Sequence, residues 1–232
     1  MSVRALIFDL DGLLVDTESA DYAAWARAWR DWGHELPRDA WRARIGSDGR
    51  GFDPLASLAE RVGEGFDAEG VQAARRAHRD ALLRSLDVPM AGVLELLDAA
   101  ESLGLRRAIA SSSDRAWVEA RLVHAGLHGR FQALRCADDV PRVKPDPDLY
   151  LAAAAALDAE PERAIAFEDS PNGVAAATAA GLFCVAVPGP MTRGLDFGRA
   201  DWVVTSLAEV RLEEVLERAD RRASSGRATS FA

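Results

Sequence analysis

Short apolar runs at residues 3–8, 107–110, 133–137, 164–167, 183–187 and 202–204 alternate with helix-like stretches at 93–103, 116–125, 147–157, 174–180 and 207–219. A brief apolar run bounded by turn-forming residues reads as a buried strand, and strands separated by helices pair through crossovers into a parallel sheet with helices packed on it. The expected class is α/β. One interval breaks the rhythm: roughly 100 residues separate the first two runs, far more than a crossover needs. Residues 18–85 read as helices without a convincing strand, which implies an inserted helical domain. The expected organisation is a core of residues 1–16 and 86–220, a helical cap of residues 17–85, and a tail of residues 221–232. That tail is rich in Ser, Arg and Ala without apolar periodicity and is expected to fray. Within the insert, Tyr22, Trp25, Trp29 and Trp32 share one helical face. They suit either a stacking platform for a substrate ring or the insert's own core, and the spacing favours core.

With 232 residues the chain is long enough to bury a full core. Its net charge of -9 argues against gripping nucleic acid through a broad basic face, which needs phosphate neutralisation. Cys136 and Cys184 both sit in apolar runs and read as buried, reduced thiols. No apolar run approaches the ~20 residues of a membrane span, and no basic segment followed by a long apolar one opens the chain, so a cytoplasmic location is expected. Of the 28 Lys and Arg residues only Lys144 is lysine. A compact ammonium fits a tight pocket that a planar guanidinium does not, so a point charge is a reason to keep lysine there.

The run at residues 3–8 ends in Asp9-Leu10-Asp11-Gly12, so two carboxylates emerge at the carboxyl end of a strand. Ligands of open α/β sheets collect there, and paired aspartates divide the labour of attack, metal binding and proton transfer. Asp and Gly are also turn residues, and three further segments decide between the readings. Ser111-Ser112-Ser113-Asp114 lies between a strand and a helix, where hydroxyls and unpaired helical N–H groups suit phosphate as well as simple capping. Lys144-Pro145-Asp146-Pro147 holds its lysine at a loop edge, because the prolines delay the helix. Glu168-Asp169-Ser170-Pro171-Asn172-Gly173 again follows a strand, with Ser170 as N-cap and Pro171 suited to a helix start. Asp9, Asp11, Glu168 and Asp169 gathered at one rim would repel one another without a cation. An all-oxygen set favours a hard ion such as Mg²⁺. The chemistry that follows is in-line attack by one aspartate on a phosphoryl group, with Lys144 offsetting charge and a second aspartate protonating the leaving alcohol.

These four segments, in this order, resemble the haloacid dehalogenase superfamily, and within it the β-phosphoglucomutase-like branch of sugar phosphatases and mutases. The resemblance spans nearly the whole chain and implies a three-layer Rossmann-like parallel sheet core with an inserted helical cap that closes about hinges near Asp16 and Leu86. It implies Asp9 as nucleophile, Asp11 as general acid/base, Ser111 and Lys144 as phosphate ligands with Ser112 beside them, and a Mg²⁺ site. That site draws on Asp9, Asp11 through its carbonyl, Asp169, and Glu168 directly or through water. The expected activity is hydrolysis of a small phosphorylated metabolite, a sugar phosphate above all, with a β-phosphoglucomutase-like isomerase as the alternative. Relatives often carry His where Asp21 stands, and the mutases have a basic cap loop whose counterpart here is residues 45–50, with Arg50 as a substrate contact. The Asp21 departure weighs against the mutase. Arg75, Arg76, His78 and Arg79 are weaker cap candidates, most of them expected in solvent. Dehalogenation needs neither magnesium nor Asp11, and a purely binding module would not require both aspartates. The expected partner is a small-molecule phosphate ester, with no membrane or nucleic acid, and the chain is compatible with a monomer.

Overall fold

A computed structural model describes residues 3–47, 51–86 and 88–228. The strands are β1 (Ala5–Phe8), β2 (Arg106–Ala110), β3 (Ala133–Arg135), β4 (Ala164–Glu168), β5 (Phe183–Ala186) and β6 (Trp202–Val203). All pair in parallel in the order β3-β2-β1-β4-β5-β6. The chain winds outward from β1 through β2 to β3, then returns to β4 on the other side of β1. That reversal opens a crevice beyond the carboxyl ends of β1 and β4. Register places Phe8 level with Ile109 and Phe167, so Asp9 leaves the sheet beside Ala110 and Glu168.

The two faces of the sheet differ in side-chain size. Leu6, Phe8, Ile109, Ile165, Phe167 and Val185 point to one face. There they meet α5 (Val93–Ser102), α6 (Arg115–His124) and α9 (Leu212–Ala228). Alternate residues Ala5, Ala108, Ala110, Ala164, Ala166 and Ala186 point to the other. Small side chains there admit the alanine-rich helices α7 (Asp148–Ala156) and α8 (Pro171–Ala179). The stacked rings of Phe8 and Phe167, 5.0 Å apart, fix β1 against β4 directly beneath the site.

Between β1 and α5 lie α1 (Thr17–Asp31), α2 (Arg38–Arg44), α3 (Pro54–Val62) and α4 (Ala68–Leu86), with no strand among the described residues. They carry their own core. Trp25 and Trp29 are buried with Trp41, Leu58 and Val71, and Tyr22 and Trp32 pack at its margin. The aromatic face of α1 is therefore structural. Trp29 donates its indole N–H to the carbonyl of Pro54 at 3.0 Å, which satisfies a polar group that burial would otherwise leave unpaired.

Of the expected tail, residues 229–232 lie outside the described residues, and residues 221–228 continue α9. Arg222 anchors them by donating to Leu182 O at 2.7 Å and pairing with Asp201 at 3.0 Å. Extending an existing helix through Arg, Ala and Ser costs little once it is nucleated, so apolar periodicity is not required. Both cysteines are free and buried. Burial pushes the Cys136 thiol up to about 11. Among the described residues no helix is long and apolar enough to cross a membrane.

Candidate active site

Asp9, at the end of β1, is 5 % exposed, and Lys144 has no exposed surface. The lysine ammonium contacts Asp9 Oδ1 and, at 2.6 Å, Glu168 Oε1. Glu168 closes β4 and is saturated. Its Oε1 also accepts from Tyr150 Oη at 2.8 Å, and its Oε2 accepts from the N–H groups of Asp169 and Ser170 and from Ser170 Oγ, at 3.0 to 3.2 Å. Ser170 Oγ in turn accepts from Gly173 N at 3.0 Å, the N-cap that starts α8 over Pro171 as the sequence requires. Glu168 thereby ties the lysine, the strand end and the helix start together.

Oxygens of Asp9, Glu168 and Asp169 lie within 4.8 Å of one another. Burial first, then repulsion within the cluster, raises the Asp9 and Asp169 carboxyls well above the ordinary range, against the lowering pull of Lys144. A crowded, buried, all-oxygen set under this strain is the chemistry of a hard-cation site, so the residues fit a divalent ion. Asp11, expected to join them only through its main-chain carbonyl, keeps its carboxylate apart. Four side chains on the opposite side hold it: Thr17 Oγ1 at 2.6 Å and Trp117 Nε1 at 2.9 Å on Oδ1, Ser113 Oγ at 2.8 Å and Ser111 Oγ at 3.4 Å on Oδ2. Only its main-chain carbonyl is left for metal.

Ser111 is buried at the end of β2 and accepts from Ser113 N at 3.1 Å, placing its hydroxyl at the mouth of the crevice. Ser112, expected beside the phosphate, lines the same cleft as Asp11 and Ser113. Its Oγ donates to Gly46 O of the cap at 3.2 Å, so it serves the contact between cap and core. Arg50 lies outside the described residues. Of the other cap cations, Arg76 is exposed, whereas Arg75 is largely covered and pairs with Asp21 at 2.7 Å. Asp21 thus holds an arginine at the cap's side of the site. Arg79 reaches the site, its guanidinium 4.6 Å from the ring centre of Trp117.

A cavity of about 360 Å³ lies between the strand-end loops, with Asp11, Ser113 and Trp117, and the cap, with Thr17, Glu18, Asp21 and Arg79. Burial and the charges of Asp11, Asp21 and Asp9 push the Glu18 carboxyl well above its usual range. Trp117 and Tyr150 were not among the residues singled out from the sequence, whereas Arg79 was one of the weaker cap candidates. The available signals were faint: a lone aromatic in the alanine-rich stretch around 150, and a tryptophan in the first turn after the serine run.

The carboxylate pair at the sheet's crevice, the buried ammonium and the inserted helical lid together define a hydrolase of the α/β class with a covering cap. The sequence profile of the haloacid dehalogenase-like hydrolases matches residues 3–181, and the chain belongs to that family. It is 34% identical over 226 residues to protein CbbY of Rhodobacter capsulatus, covering 94% of this chain and 99% of that one. It is 33% identical over 184 residues to the fructose-1-phosphate phosphatase YqaB of Escherichia coli, covering 78% and 95%. The crystal structure of CbbY from Rhodobacter sphaeroides in complex with phosphate superposes with a TM-score of 0.75 at 29% identity, covering 93% of this chain and 99% of that one. The chain is an enzyme, a phosphoric monoester hydrolase.

Proposed function

We propose that this enzyme is a Mg²⁺-dependent phosphatase that hydrolyses a small phosphorylated sugar through an aspartyl-phosphate on Asp9. The observation that carries the reading is the division of the carboxylates. Asp9 lies against Lys144 in the metal-competent cluster, and Asp11 is held apart from it, facing the cavity. Lys144 engages Oδ1 of Asp9, which leaves Oδ2 to attack phosphorus. The Asp9 O–P bond forms as the ester P–O bond breaks, and Asp11 gives its proton to the departing sugar oxygen. Asp11, now ionised, takes a proton from water as that water attacks the phospho-aspartate, which releases inorganic phosphate and restores both residues. Ser111 and the Lys144 ammonium stabilise the non-bridging oxygens during both transfers. A bound Mg²⁺, held by Asp9, Asp169 and the Asp11 carbonyl, supplies charge neutralisation for the carboxylates and the phosphoryl group. The CbbY and YqaB similarities support a sugar-like ester.

The test is a Mg²⁺-dependent phosphate-release screen over sugar, nucleotide and small-acid phosphates. Interconversion of glucose 1- and 6-phosphates, with glucose 1,6-bisphosphate added, is followed in parallel. Selective release that Asp9→Asn abolishes in a folded protein supports the reading. Isomerisation without net release would replace it with the mutase, and near wild-type turnover by Asp9→Asn would remove Asp9 as nucleophile.

A further inference from the structure

We propose that Trp117 is the positioning residue for Asp11, its indole N–H selecting which carboxylate oxygen carries the transferred proton. This rests on the phosphatase reading above, in which Asp11 is the general acid/base. The donors around Asp11 are not equivalent. Oδ2 faces the hydroxyls of Ser113 and Ser111, and Oδ1 faces the Thr17 hydroxyl together with Trp117 Nε1 at 2.9 Å. A hydroxyl rotates to donate or accept, whereas an indole N–H only donates. The protonated oxygen of a carboxyl group accepts more weakly than its carbonyl oxygen, so a proton on Oδ1 would weaken the indole bond and one on Oδ2 would leave it intact. The acid form therefore carries its proton on Oδ2, where the Ser113 hydroxyl turns to accept. Hydroxyl groups alone would leave the two oxygens interchangeable, and the indole removes that ambiguity.

Trp117 is itself well held. It stands in the first turn of α6, where its backbone N–H is capped by Asp114 Oδ1 at 2.7 Å. Its ring packs at the edge of the larger hydrophobic core. The guanidiniums of Arg79, from the cap, and Arg121, from α6, lie 4.6 and 4.7 Å from its ring centre. In the cap core, Trp29 settles its N–H on backbone, at Pro54 O. Trp117 instead aims its N–H at the side chain that moves the proton, in the wall of the cavity.

Two measurements test this. Trp117→Phe keeps a ring and removes the N–H, and it is compared with Asp11→Ala on two esters. One is the sugar phosphate released fastest in the screen, whose alkoxide needs a proton, and the other is p-nitrophenyl phosphate, whose leaving group departs without one. Asp11 also assists hydrolysis of the phospho-aspartate, which both esters share, so the comparison is made on the single-turnover rate of leaving-group release. Trp117→Phe is expected to lower that rate for the sugar phosphate roughly ten- to hundredfold, the scale of a hydrogen bond to a charged group, with p-nitrophenol release largely spared. An equal loss on both esters would make Trp117 a packing residue and overturn the proposal. If Asp11→Ala itself failed to discriminate between the esters, the fault would lie with Asp11 as the acid. The second measurement needs no turnover. Among the six indole N–H resonances of the ¹⁵N-labelled wild type, the one missing from Trp117→Phe should shift in Asp11→Ala. If that resonance stays in place, or if the Phe variant does not fold and no indole resonance responds to Asp11→Ala, the hydrogen bond is not formed and the proposal fails.

Discussion

An ammonium with no exposed surface persists only because carboxylates meet it on two sides. Burial pulls Lys144 toward its neutral form, and the charges of Asp9 and Glu168 more than reverse that, leaving it above its ordinary value. The space is closed as well, since Tyr150 shares Glu168 with the lysine and its ring centre lies 5.2 Å from Nζ. Lys144→Arg conserves charge but brings a wider head into a filled pocket. It should cost about 1–3 kcal/mol of stability through overpacking, read from urea unfolding, and at least about a hundredfold in kcat/KM. Tolerance of arginine would show that charge alone matters at this position. The acidic side of the cluster makes a pH-dependent prediction. Asp9 and Asp169 keep their protons in the folded protein at pH values where the unfolded chain, with carboxyls near 3.8, has lost them. Metal-free stability attributable to these groups is therefore highest below that value and falls as pH rises through their raised range. A cation takes over the proton's role, so the gain in Tm from Mg²⁺ over EDTA should be larger at about pH 8 than at about pH 5, where protons already compete for the oxygens. An equal gain at both would mean that the ion binds elsewhere.

The segment from β4 into α8 shows how a short motif becomes a structural device. Glu168 ends the strand, Ser170 caps the helix, Pro171 occupies its first turn, and Gly173 leaves room for the Glu168 carboxylate. A Cβ on Gly173 would fall 1.8 and 2.1 Å from the two oxygens of Glu168. Gly173→Ala is therefore expected to displace Glu168, destabilise the fold by about 1–3 kcal/mol in urea melts, and lower kcat through loss of the Lys144 contact. An unchanged melt would show that Glu168 has an alternative seat. The room Gly173 leaves for Glu168 depends on how the strand end folds against the helix, whereas the cap and the proline were legible in the sequence because each has a local rule. The strands were legible for a similar reason, since residues buried on both faces leave continuous apolar runs. Trp117 and Tyr150 were not, because their roles depend on partners 106 and 18 residues away, and neither helix carries a pattern that announces a polar target. The helical course of residues 221–228 was not legible because anchorage by Arg222 to Leu182 and Asp201 is likewise non-local.

At the scale of the whole molecule, two bodies, each built around its own hydrophobic packing, meet over the crevice through Met191, which packs into the cap's cluster, and a handful of polar contacts. Arg42 of α2 donates to Met191 O at 2.9 Å and also reaches Arg193 O. Asn172, at the start of α8, donates to Ile45 O at 2.7 Å, and Ser112 reaches Gly46 O. Gly46, at φ 77°, lets the backbone lie against Ser170, where a Cβ would come within 2.0 Å of its Oγ. The motif residues that shape the active site on the core side are thus also the seat of the cap. The existence of the insert was legible from its length and helical composition, but the positions where it touches the core were not, because the touching groups are mostly main-chain carbonyls. Such a seat completes the pocket and excludes water while leaving the bodies separable for substrate entry and product release. Because Arg42 is the one charged side chain among these contacts and lies away from Asp9 and Asp11, Arg42→Ala isolates the seat from the chemistry. Its loss should lower kcat/KM roughly tenfold, about the strength of a hydrogen bond from a charged donor. Thermal unfolding should be little changed, since neither core is opened. Hydrogen exchange at residues 43–46 should accelerate in the same variant. Slower turnover without faster exchange there would place the effect of Arg42 on substrate and not on the cap.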